Sequence, residues 1–98
     1  MVASLAKILD KIKQYQPEKV ILFGSHAYGK PTKDSDFDIA IIKNTKKPYH
    51  ERLIELRSLV RTTAPIDFFV FTNDEINKNK NLNPFIKEIL TKGKVLYG

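Results

Sequence analysis

Three aspartates stand where strand-forming stretches should be apolar. Asp36 and Asp38 lie in the run DFDIAIIK, and Asp67 lies in IDFFVF. Asp is depleted in strands, and a buried carboxylate without a partner is strongly unfavourable. At two-residue spacing on an extended segment, Asp36 and Asp38 point to one face, with Cβ atoms roughly 6 to 7 Å apart. Like charges that close raise one another's pKa unless a cation lies between them. If the strand carrying Asp67 is a neighbour, three carboxylates converge. Oxygen ligands, with no Cys and only 2 His in the chain, select a hard cation, Mg²⁺ or Mn²⁺, which usually completes its shell with water and substrate phosphates. The plainer account of the pair is a solvated strand face, and of Asp67 a strand start beside Pro65.

The loop ahead of Asp36 adds a second chemistry. Gly24-Ser25 directly follows the apolar run Val20-Ile21-Leu22-Phe23. A glycine lets backbone approach a phosphate closely, N–H groups at a turn bind anions, and the Ser25 hydroxyl can donate another hydrogen bond. The segment from Gly24 to Lys30 also matches most of the phosphate-loop pattern GxxxxGK[ST], but Pro31 occupies the Ser/Thr position. That pattern must also run into a long helix; here Pro31, Asp34 and Ser35 break the chain and a strand follows. The phosphate-loop reading is rejected.

The elements that must hold these residues are legible from periodicity. Leu5, Ile8, Leu9 and Ile12 form one stripe of a helix over 4–16, with Ser4 as N-cap and Pro17 as its stop. Residues 20–23 read as a buried strand, 24–35 as a loop with at most a turn or two of helix, and 36–43 as a second strand. Phe37, Ile39 and Ile41 share one face of that strand; Asp36, Asp38 and Ala40 share the other. Pro48 at a first helical position opens a helix to about Thr62, with the stripe Tyr49, Leu53, Leu56, Val60. A third strand spans Ile66 to Phe71. Thr72 and Glu75 match a capping box for a helix near 73–80. Asn83 and Pro84 start a last helix that buries Phe85, Ile86, Ile89 and Leu90, and Gly93 stops it. Residues 95–97 are expected to form an edge strand. This order predicts one α/β domain over residues 1–98, a sheet covered by helices.

Composition sets the outer limits. The chain has 98 residues, no Cys and 42% hydrophobic residues, enough for one core and no disulfide scaffold or thiol nucleophile. The longest apolar runs, Ile39 to Ile42 among them, are four residues long, far too short to span a membrane, so a cytoplasmic setting is expected. The net charge of +6 and an isoelectric point of about 9.6 suit an anionic partner, although most of the cations are spread along the chain. Lys43, Lys46 and Lys47 form the local cluster.

Taken together, the pattern G24-S25-x10-D36-x-D38 with Asp67 downstream resembles the nucleotidyltransferase superfamily of DNA polymerase β type. LFGSHAYGKPTKDSDFDIAII and NPFIKEILTKGKVLY resemble its minimal nucleotidyltransferases (MNT), often encoded beside a HEPN-domain protein. The resemblance implies an α+β fold with a small mixed sheet. It implies that Gly24 and Ser25 hold the β- and γ-phosphates of ATP, and that Asp36, Asp38 and Asp67 are catalytic and bind two Mg²⁺ (or Mn²⁺). It further implies transfer of AMP to a hydroxyl of a HEPN toxin, the chain being the antitoxin of the pair. Where many relatives carry Arg, this chain has His26 and Tyr28, so phosphate affinity or substrate choice is expected to differ. A core without an acceptor-binding domain is expected to borrow surface from a partner or a second copy of itself. Two other functions compete: a non-catalytic module that silences the partner by contact, and transfer to a small molecule such as an aminoglycoside.

Overall fold

A computed structural model describes residues 5–30 and 36–98. Ser4, Pro31, Asp34 and Ser35, which carry expectations above, lie outside the described residues.

The first helix, α1 (Leu5–Lys13), buries Ile8 and Ile12 from its apolar stripe. It ends earlier than Pro17 alone would dictate. Gln14 and Tyr15 form a turn, Gln16 takes φ 58°, and the buried Tyr15 ring completes the underside. Strand β1 (Lys19–Phe23) follows, then a single helical turn, α2 (Ser25–Tyr28), and strand β2 (Phe37–Ile42). Helix α3 (Tyr49–Leu59) is shorter than the span to Thr62, and Pro48 is its N-cap, extended at ψ 160°, rather than its first helical residue. Strand β3 (Ile66–Phe71) leads into α4 (Asn73–Asn79) through the Thr72/Glu75 capping box, both halves of which form. Helix α5 (Pro84–Lys92) starts at Asn83, whose side chain accepts from the N–H groups of Phe85 and Ile86, and stops at Gly93. Strand β4 (Lys94–Tyr97) closes the order.

Among the described residues the strands form one mixed sheet in the order β3-β2-β1-β4. β1 runs antiparallel to β2 and β4, while β2 and β3 are parallel, with α3 as the crossover. The alternation of β2 sorts its residues as expected. Ile39 and Ile41 face a core shared with Ile8, Ile12, Leu56 and Val60 of the α1/α3 layer. Ala40 and Ile42 face a second core with Ile21, Phe23, Ile76, Ile86 and Ile89, beneath α4 and α5. Each fully buried isoleucine contributes about 1.5–3 kcal/mol by removal from water.

Two helical faces depart from the simple stripe. On α3 the interior position goes to Arg52, which is 6% exposed, whereas Tyr49 is exposed. Arg52 is accommodated because all three guanidinium nitrogens donate: Nη1 and Nη2 to Glu75 Oε1 (2.8 Å) and Oε2 (3.1 Å), Nη1 to Val70 O, and Nε to Lys47 O. On α5, Ile86 and Ile89 are buried as expected, but Phe85 and Leu90 are 40% and 39% exposed. They lie to either side of the stripe, whose width is set by the one strand that α5 mainly crosses, β1. Among the described residues no helix is long and apolar enough to cross a membrane.

Candidate active site

The chain leaves β1 at Phe23 and turns at Gly24, with φ 76° and ψ −157°. That region is essentially confined to glycine. A Cβ here would also collide with Asp38 Oδ2, so the Gly24 backbone lies directly against the Asp38 carboxylate. The carbonyl of Gly24 then accepts from Ala27 N (3.0 Å) and Tyr28 N (3.1 Å), which winds the one turn of α2. Ser25 opens that turn half-buried. The helix ends at Tyr28 after one turn, in keeping with rejection of the phosphate-loop pattern.

The parallel register of β2 and β3 sets Asp38 beside Asp67, and the antiparallel register of β1 and β2 sets Phe23 on the other flank of Asp38. Paired residues on neighbouring strands share a face, so both carboxylates lie on the face of Ala40 and Phe69. Asp38 is half-buried and Asp67 exposed. Burial first, then the charges of Asp67 and Asp36, hold the Asp38 carboxyl above its ordinary pKa, against a smaller lowering by His26. Asp36 lies just outside the strand and is exposed; it joins the site through its charge on Asp38. Among the described residues no three His, Asp or Glu side chains are grouped to hold a metal ion. The donor set at Asp38 and Asp67 is nevertheless oxygen-only and mutually repulsive, the chemistry that a hard cation relieves.

His26 stacks on Phe37, ring centroids 4.0 Å apart at 21°, on the face away from the carboxylates. Tyr28 reaches the other way. Its hydroxyl donates to Glu88 Oε2 at 2.5 Å, and Lys92 Nζ lies 5.8 Å from its ring centroid. Burial and the Glu88 hydrogen bond push the Tyr28 phenol up from its usual pKa. Phe85, Glu88 and Lys92 recur at helical spacing on α5 and form one stripe along it. That stripe is visible in the sequence; what it faces is set by the packing of α5 on β1 and could not be read there. A polar groove lined by Asn44, Thr45, Lys46, Thr72, Asn73 and Asp74 opens at the opposite ends of β2 and β3, far from the carboxylates.

A glycine turn at the end of β1 thus lies against one aspartate, with a second aspartate in register on the parallel neighbour. The chain belongs to the polymerase beta nucleotidyltransferase family, which it matches over residues 6–98. It is 35% identical, over 82 residues, to a Methanocaldococcus jannaschii protein described as a "putative protein adenylyltransferase"; the match covers 82% of this chain and 78% of that protein. Its fold is similar to that of a crystal structure described as a "putative nucleotidyltransferase" from Sulfolobus solfataricus, with a TM-score of 0.64 and 18% identity, covering 91% of this chain and 72% of that one. The protein is thus a nucleotidyltransferase of α+β fold.

Proposed function

We propose that this nucleotidyltransferase moves AMP from ATP to a hydroxyl of a partner protein, and that the partner is a HEPN-domain toxin which it silences. The observation that carries the reading is the Asp38–Asp67 register beside the Gly24 turn, together with the description of the M. jannaschii relative.

In this reading Gly24 and Ser25 receive the β- and γ-phosphates, and the close approach of Gly24 to Asp38 keeps the triphosphate against the carboxylates. Asp36, Asp38 and Asp67 hold Mg²⁺, which would neutralise the phosphates and stabilise the entering and leaving oxygens. The acceptor oxygen forms a bond to the α-phosphorus, the bond from that phosphorus to pyrophosphate breaks, and the acceptor proton is released. The added phosphodiester places a negative charge on a previously neutral side chain. On a surface that binds or cuts RNA, that charge would repel the phosphate backbone. The basic charge of this chain suits docking on an acidic partner.

The test is intact mass of the product of the neighbouring gene after incubation with this chain, ATP and Mg²⁺. A gain of one adenylyl group on that partner is expected, absent with Asp38→Asn. A partner that stays unmodified, yet is silenced in a stable complex, would overturn the catalytic reading and leave a binding module in its place.

A further inference from the structure

We propose that the exposed ring of Phe85 is the stacking platform for the base of the bound nucleotide. The inference rests on the nucleotide site assigned above and extends it to a part of the ligand that the carboxylates and Gly24 cannot read.

Three observations support it. Phe85 is held by a built aromatic cluster. Its ring centroid lies 5.5 Å from Phe23 at 81° and 5.3 Å from Phe69 at 62°, and Phe23 and Phe69 themselves meet at 5.5 Å. Neither neighbour stacks flat on Phe85, so neither takes the face-to-face position, and 40% of the residue remains exposed. The cluster also flanks the carboxylates. Phe23 is in register with Asp38, and Phe69 stands one strand repeat beyond Asp67 on the same face, about 7 Å along the chain. Finally, Leu82, three residues before Phe85 in the chain, is 81% exposed, a second large apolar side chain left open to solvent.

The occupant this surface suits is flat, uncharged and tethered to a phosphate. A base meets each requirement, since every base has a π-face that stacks on an aromatic side chain irrespective of its hydrogen-bonding edge. An acidic group would be repelled by Asp38 and Asp67. The other sites of aromatic contact by the loop are engaged differently: the Tyr28 hydroxyl is bonded to Glu88 and the His26 ring is stacked on Phe37.

The experiment compares two probes, ATP and inorganic tripolyphosphate, by calorimetric titration of the full chain with Mg²⁺ present. Wild type should bind ATP more tightly than tripolyphosphate. Phe85→Ala should weaken ATP about tenfold or more, the scale of one base stacked on one ring, and leave tripolyphosphate unchanged. Phe85→Leu preserves apolar contact with Phe23 and Phe69 without a flat ring and should behave likewise, whereas Phe85→Trp should restore ATP affinity. Equal weakening of both probes by Phe85→Ala and Phe85→Leu would make the ring structural and overturn the proposal. Unchanged ATP binding in both variants would overturn it while leaving the nucleotide site in place. A wild-type chain that binds neither probe would remove the nucleotide site, and the platform with it.

Discussion

At Asp67 two demands can be separated. The residue is exposed near the start of β3, so its side chain contributes little to packing. Its charge nevertheless acts on Asp38, whose carboxyl is already penalised by burial. Removing that charge should therefore help the metal-free fold and harm the reaction. Asp67→Asn is expected to raise the metal-free unfolding free energy by a few tenths to about 1 kcal/mol, the scale of a like-charge pair on adjacent strands. Nucleotide transfer should fall by roughly 10²-fold or more, as when one preorganised electrostatic group is lost from a site. Urea unfolding in EDTA, beside a transfer assay, measures both. A stability that collapses in the metal-free variant would mean that Asp67 is there for the fold.

Among the elements, the joint between α3 and α4 is the most informative. Glu75 has two roles. Its Oε1 accepts from Thr72 N (2.9 Å) to complete the capping box, and both carboxylate oxygens receive the Arg52 guanidinium. The Arg52 hydrogen bonds, ahead of any other favourable cause, hold the Glu75 carboxyl below its ordinary pKa. A carboxylate depressed in the folded state contributes stability above its unfolded pKa of about 4.3 and loses it as pH falls through the lower folded value. Wild type should therefore weaken on acidification from about pH 5 to 3 more steeply than Glu75→Gln, by chemical denaturation at each pH. Parallel profiles would show that the pair contributes nothing. Arg52→Leu should cost about 2–3 kcal/mol at neutral pH, since it strands the buried Val70 carbonyl and the part-buried Lys47 carbonyl. This joint also marks where sequence reading stops. Thr72 and Glu75 announce the cap by local spacing, and Asn83-Pro84 announces α5 the same way. The sites of Gly24, Asp38 and Asp67 are legible because glycine and aspartate violate the strand pattern around them. Arg52 is not legible, because only a tertiary partner 23 residues further along the chain, Glu75 of α4, makes a cation tolerable at that position. Nor is the exposure of Phe85 and Leu90, because the width of the stripe α5 buries depends on what it crosses.

For the whole molecule, the net charge of +6 and the acidic site pull in opposite directions on an anionic ligand. Free ATP is attracted to the protein at long range, yet at the site it meets Asp36, Asp38 and Asp67. The lysine cluster at Lys43, Lys46 and Lys47 lies beyond the C-terminal end of β2, away from those carboxylates, and Lys43 is bonded to Tyr15 O and Lys47 to Glu55, so the long-range attraction belongs to the net charge and not to this cluster. That attraction is screened over about 8 Å at 0.15 M salt, whereas a ligated cation works at contact. Divalent metal should therefore convert ATP from a weak, salt-sensitive ligand into a stabilising one. At 100 times its dissociation constant a ligand adds about 2.7 kcal/mol, and 1 kcal/mol moves the Tm of a domain of this size by about 4–8 °C. Mg²⁺ with ATP at 0.15 M NaCl should accordingly raise Tm by on the order of 10–20 °C, and ATP with EDTA by a small fraction of that. The double variant Asp36→Asn/Asp38→Asn should lose the Mg²⁺-dependent part while keeping the small metal-free shift, because the excess of Lys and Arg over acidic residues is kept. Differential scanning fluorimetry of both proteins under the two conditions decides the matter. An equal shift with and without metal in wild type would mean that ATP is held by the basic surface and that the carboxylates take no part in binding it.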